Sequence, residues 1–367
     1  MTDPSRQERA RQYEKIHNFL YVVEINYTVA MLVLFLITGA SQRLAGLAQN
    51  PWLATTLYAG TVIIGMKALF LPLQWLGGYF LEHRYELSNQ SLGAWLWDET
   101  KSLGLGLVLG VGALNVVYFL LRRLESWWWV AAGGFFLLFG VVLSALFPVL
   151  LLPMFYKLKP LENESLVKKL SDLACRVGAK VLGVYRMAMS EKTKKANAAF
   201  AGLGATKRII LGDTLLNNFT EDEIEVVMAH EMAHYRHRDM WWMIGWSALT
   251  TFVALWIADG ILRRALPQFG SARVSDLAAF PLLALCLFGF GLVVMPLNNA
   301  FSRWRERMAD RAALELTHNP DGFIRAMRKL ADQNLADLAP HPWIEFLLHD
   351  HPALARRINM AEQWQPS

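Results

Sequence analysis

His230-Glu231-Met232-Ala233-His234 has the residue types and spacing of a metal site with a base beside it. On a helix, positions i and i+4 share a face, so both imidazoles can grip one ion while Glu231 projects next to it. Neutral imidazoles suit zinc, and a neighbouring carboxylate is placed to take a proton from water. With nine histidines in 367 residues, the pattern arises by chance in roughly a few per cent of such chains. Two ligands do not make a site, because a catalytic zinc keeps three protein ligands and one open position.

The third ligand is sought in Ser302-Arg303-Trp304-Arg305-Glu306-Arg307-Met308-Ala309-Asp310, directly after the last apolar run. Glu306 and Asp310 are four apart and share a helix face. Glu306 is read as the third ligand, and Asp310 as the acceptor for the free N–H of a ligating histidine. The alternative is that both acids only pair with Arg303, Arg305, Arg307 and Arg311 on a solvated face. His237 is a rival ligand, but it lies about two turns from His230, roughly 10 Å along the axis. The longer pattern H-E-x-x-H-x-x-G-x-x-H also fails, since position 237 is His and 240 is Met. His237 is read as interfacial.

The elements that must position these groups are set by composition. The chain is 54% apolar and 18% charged, with 14 Trp and a mean hydropathy of +0.26. That balance excludes an ordinary soluble enzyme and fits an integral membrane protein. The net charge of +5 is not gathered into a compact basic patch, so no nucleic-acid partner is expected. Cys175 and Cys286 have no metal-binding spacing and no disulfide is expected. The polar first twenty residues predict no cleavable signal peptide.

Uncharged runs predict four spans within 1–156: Ile25 to Gln42, Pro51 to about Phe80, Ser102 to Leu121, and Ser126 to Tyr156. Lys67 interrupts the second, where it either snorkels or lines a polar cavity. Residues 157–239 change character. An amphipathic helix is predicted over 161–177, and a sheet of two or three strands from segments 181–185, 197–200 and 208–211. Thr220 and Glu223 form a capping box that opens the helix carrying the motif. Two further spans follow within 240–300, at 240–258 and 277–300, and 301–367 is a helical part holding Glu306. Lys and Arg concentrate in the N-terminus, the 83–101 loop, 157–239 and the C-terminal tail. Positive-inside counting therefore puts the zinc region and both termini on the cytoplasmic side.

H-E-M-A-H, followed two spans later by S-R-W-R-E-R-M-A-D, resembles the type I CAAX prenyl protease family of intramembrane zinc metallopeptidases. Asn197-Ala198, the run Lys207 to Leu216, Ser88 to Gly93, and His351-Pro352 with Arg357 a turn later extend the resemblance over about residues 11 to 360. The resemblance implies one Zn²⁺ on His230, His234 and Glu306, a gluzincin-type pattern of HExxH plus ExxxD, with Glu231 as base. It also implies Asn197 near the substrate backbone, and His351 and Arg357 near the developing oxyanion. On residue type alone His351 is a surface or structural histidine and Asn197 a turn residue. The family usually has seven spans where six are read here, and usually an aromatic where this chain has Ala199.

The expected fold is thus an α-helical polytopic membrane protein, about six transmembrane helices around a polar chamber, with a small cytoplasmic α+β zinc-protease region. The expected function is zinc-dependent hydrolysis of peptide bonds in membrane-associated substrates, with the lipid bilayer and a peptide or protein, possibly prenylated, as partners. One alternative is a membrane quality-control protease with unlipidated substrates. Another is a transporter-like protein with a structural zinc, although such a site normally closes with a fourth ligand, often Cys, and none lies near the motif. A lipid-modifying transferase lacks its paired-Asp motif.

Overall fold

Among the described residues, six helices are long and apolar enough to cross a membrane: Pro4–Ile37, Pro51–Arg84, Leu92–Arg123, Trp128–Phe155, Asp239–Phe269 and Leu277–Thr317. They belong to a computed structural model that describes residues 4–202, 204–269 and 273–366. The outer ends of the first and last predicted segments, 1–3 and 367, lie outside it. The helices overrun the predicted spans. The first is helical from Pro4 rather than from Ile25, because its charged start is rich in Arg, Glu, Gln and Lys, all good helix formers. The last is one helix from Phe280 to Thr317, with no break at 300. Glu306 and Asp310 therefore ride on the membrane helix itself.

The six helices close a ring. Tyr27 of the first packs edge-on against Phe70 of the second at 4.9 Å. Asn115 of the third donates to Thr56 of the second at 3.1 Å. Gly133 of the fourth leaves room for Phe252 of the fifth, whose ring lies 2.4 Å from where a Cβ would sit. Trp246 of the fifth donates to Asn298 of the sixth at 2.6 Å, and the Tyr21 hydroxyl of the first reaches Met295 of the sixth at 3.2 Å. Among the described residues, the first span thus meets both the second and the sixth.

The apolar windows of its helices are 6 to 28% buried, so most of their apolar surface is left to a surrounding membrane. At Gly60, Gly65, Gly104, Gly106 and Gly112 an added Cβ would meet nothing. The Lys67 ammonium pairs with Glu99, near the start of the third helix, and donates to Gln74 at 2.7 Å. Away from the motif helix the bundle is sealed by a cluster that includes Tyr58, Tyr118, Leu121, Trp128 and Leu255.

The region between the fourth and fifth spans folds on the other end. The amphipathic helix is Glu164–Arg176, capped by Asn163, whose side chain accepts from the Leu166 amide at 3.1 Å. It buries Leu166, Leu170 and Leu173 completely, each contributing about 2 kcal/mol. The sheet has four strands where two or three were expected: β1 Leu158–Pro160, β2 Val184–Met187, β3 Ala198–Ala201 and β4 Arg208–Gly212, in the order β1-β2-β4-β3. β1 was missed because three residues ending in proline carry no alternation to read. β2 and β4 are parallel and the outer pairings antiparallel. β3 is consequently an edge strand.

Candidate metal centre

Thr220 and Glu223 form the capping box that starts the motif helix, Glu221–Arg236. Its inward side carries Val226, Ala229, Met232 and Ala233, all fully buried. Ala229 and Ala233 are one turn apart, as are Ala309 and Ala313 on the sixth-span helix, which are fully buried too. Ala233 and Ala309 meet in one cluster with Ala312. Methyl-sized side chains let the two helix axes approach closely, and this approach brings Glu306 to the histidines. Ala309→Leu is expected to force the helices apart, at about 1–3 kcal/mol for an overpacked core site. A lower melting temperature together with loss of bound metal would be the result.

The two Nε2 atoms of His230 and His234 face each other at 3.3 Å. Glu306 Oε2 lies 3.2 Å from His230 Nε2, and Oε1 lies 3.2 Å from His234 Nε2. Among the described residues, these three form the group whose donor atoms lie within 4.8 Å of one another. The triangle passes a test of fit. Two ligands at about 2.0–2.1 Å from a tetrahedral zinc stand about 3.3 Å apart, the edge length seen here. The donors are the two imidazoles and one carboxylate of an open three-ligand site. Glu306 Oε2 is also buried without a hydrogen-bond partner, an arrangement that calls for a cation.

The ring nitrogens turned away from the triangle are held by carboxylates. His230 Nδ1 lies 2.9 Å from Asp310 and His234 Nδ1 lies 2.7 Å from Asp239. This leaves each Nε2 lone pair directed into the triangle. Burial pushes both imidazoles toward neutrality, but the surrounding carboxylates more than reverse it. Asp310 and Glu306 hold His230 above its ordinary value, and Asp239 and Glu306 raise His234 to about 10. The pocket is strongly negative and suits a divalent ion. Glu231 is half-buried beside His230, and its charge is felt by both His234 and Arg357.

The structure brings His351 to the open side of the triangle, with Nε2 3.5 Å from Glu306 Oε2 and Nδ1 2.8 Å from Asp350. Asp350 foremost, then Glu306 against burial, holds its proton affinity above the ordinary value. Arg357 grips Asp310 with Nε and Nη2 at 2.9 and 2.6 Å, and Nη2 lies 3.4 Å from His230 Nδ1. Two of its nitrogens are thus held on the Nδ1 side of His230, against Asp310. His237 ends the motif helix outside the triangle.

Asn197 is exposed at the start of β3, and its carbonyl accepts from the Gly212 amide at 2.9 Å. The preceding residues are pinned: the Ala196 amide donates to Asn334 at 2.7 Å and Thr214 donates to the Lys195 carbonyl at 2.8 Å. β3 also packs on the motif helix through Phe200, whose ring lies 5.6 Å from that of Tyr235. β3, unpaired on one edge, thus packs on the helix that carries the two motif histidines. Asp239 escaped the sequence reading. It is buried, holds His234, and pairs with Arg305; its only sequence signal is an acid five residues after the second motif histidine.

The model of peptidase family M48 matches residues 160–365, and that of the CAAX prenyl protease N-terminal region, described as five membrane helices, matches residues 1–157. Over the latter stretch this chain supplies four spans. The chain is 29% identical to the uncharacterized metalloprotease YhfN of Bacillus subtilis (strain 168), over 98% of this chain and 86% of that protein. It is also 29% identical to CAAX prenyl protease 1 of Saccharomyces cerevisiae, over 78% of this chain and 67% of the relative. The crystal structure of S. mikatae Ste24p superposes with a TM-score of 0.88 at 22% identity, covering 99% of this chain and 90% of that one. At that identity the likeness is one of fold.

Proposed function

The chain belongs to peptidase family M48 and is a multi-pass membrane metalloprotease, and from that premise we propose that it is a zinc endopeptidase whose substrates are prenylated C-terminal peptides at the membrane. His230, His234 and Glu306 hold the ion. The observation that carries this reading is their triangle, with edges of 3.2 to 3.3 Å, its third corner on the helix that continues the sixth span. Zinc bound there supplies Lewis acidity, polarising the scissile carbonyl and making water easier to deprotonate.

The chain's own groups do the rest. The free edge of β3 pairs with an extended substrate backbone, with Asn197 at its start, as edge strands do with added peptides. Glu231 takes a proton from the attacking water on its carboxylate and returns it to the leaving amine nitrogen. His351 donates from Nε2 to the carbonyl oxygen as negative charge develops there. Asp310, steadied by Arg357, keeps the His230 ring in the orientation that points Nε2 inward. The sixth span runs unbroken into the centre, so the reaction sits at the membrane, within reach of a lipid-bearing peptide. Lys and Arg at the span flanks support a cytoplasmic orientation of the site.

The prenyl preference rests on the resemblance to CAAX prenyl protease 1. Purified protein offered a farnesylated reporter peptide and its unmodified counterpart, each with and without a zinc chelator, tests it. Chelator-sensitive cleavage of the farnesylated peptide alone is expected. Equal cleavage of both would move the reading to a broader membrane protease. Cleavage that survives full removal of zinc would overturn the metal assignment.

A further inference from the structure

Each motif histidine is braced by a carboxylate, and each carboxylate is gripped by an arginine from another segment. For His230 the brace is Asp310 with Arg357. For His234 it is Asp239 with Arg305. Neither brace is made from the motif helix. Asp239 is the first residue of the fifth-span helix, and it turns back onto His234 because Arg238 sits in the left-handed region at φ 55°, ψ 36°. A non-glycine residue avoids that conformation unless its surroundings compel it. Arg305 stands next to Glu306 on the sixth-span helix. It bonds Asp239 with Nη2, and the same nitrogen donates to the His237 carbonyl at 3.1 Å. Asp239 and Arg305 are both buried, at 5% exposure each.

We propose that Asp239 is a positioning residue for the metal: it fixes the ring of His234 and, through Arg305, ties that ligand to the helix bearing Glu306. The fifth and sixth spans are then joined at the metal centre by an ion pair, so that His234 and Glu306 keep one separation. The proposal rests on reading His234 as a metal ligand. A carboxylate on Nδ1–H sets the tautomer and makes Nε2 a better donor, and losing such a partner typically weakens metal binding by about 10- to 100-fold.

The test is a Co²⁺ and Zn²⁺ competition titration on the detergent-solubilised full chain, read as metal affinity rather than activity. Asp239→Ala is expected to weaken affinity by about 10- to 100-fold. Asp239→Asn, whose amide oxygen still accepts from Nδ1–H, is expected to recover most of that loss. Asp239→Ala also leaves the Arg305 guanidinium buried without a counter-charge, so the double variant Asp239→Ala/Arg305→Met is measured alongside. Weak metal binding that persists in the double variant supports positioning. Restored binding would mean that Asp239 only neutralises Arg305, and the proposal falls. Wild-type affinity in Asp239→Ala overturns it as well, with the metal centre intact. Absence of tight metal binding in the unaltered chain would instead overturn the reading of the centre, and this proposal with it.

Discussion

Glu231→Gln will stay folded, keep its zinc, and lose peptide cleavage by about 100- to 10,000-fold, the range that a positioned general base contributes. The three donor atoms of the triangle belong to His230, His234 and Glu306, so an isosteric change at 231 leaves the ion's ligands in place. What it removes is a carboxylate able to accept a proton from water and pass it to the leaving nitrogen. That interaction exists only along the reaction path. The loss should therefore fall on kcat, with KM little altered. Metal content, measured on the same preparation, separates the outcomes. Unchanged zinc with cleavage within about twofold of the unaltered chain would exclude Glu231 as the base. Loss of zinc would mean that Glu231 helps hold the ion.

What could be read from the sequence follows from how local each signal is. Spacing i, i+4 places His230 and His234 on one face whatever the rest of the chain does, so the pair was legible at once. Glu306 was legible for a different reason: it is an acid one turn before another acid, immediately after the last apolar run. The metal-facing surface was not legible. Ala229, Ala233, Ala309 and Ala313 read as indifferent helix formers, yet they set how closely two helices distant in sequence approach. Asp239 depends on a left-handed arginine at 238, and no propensity announces that conformation. The pairing of Arg357 with Asp310 was not legible, because a pattern match gives a residue's neighbourhood but not the direction of its guanidinium. Its partner Asp310 is 47 positions away. The meeting of the first helix with the sixth, through Tyr21 and Met295, was equally hidden.

Glu306→Ala will lose the metal, and the loss will register in stability as well as in composition. In the unaltered chain, an ion that binds only the folded state adds about 2.7 kcal/mol when its free concentration is 100 times the dissociation constant, and about 4.1 kcal/mol at 1,000 times. Chelation should therefore lower the unfolding temperature of the unaltered protein by several degrees. Glu306→Ala should start near that lower temperature and be insensitive to chelator. The contrast excludes the solvated-face alternative, in which Glu306 only balances neighbouring arginines. Its carboxylate is buried at 6% exposure and lies against His230, His234 and His351. If that cluster were only a hydrogen-bonded ion network, removing the acid would cost about 3–5 kcal/mol whether or not metal was present. Chelator would then leave the unaltered chain's melting unchanged. Full zinc occupancy in Glu306→Ala would transfer the third ligand to another residue, and His351, 3.5 Å from the deleted carboxylate, would be the first to examine.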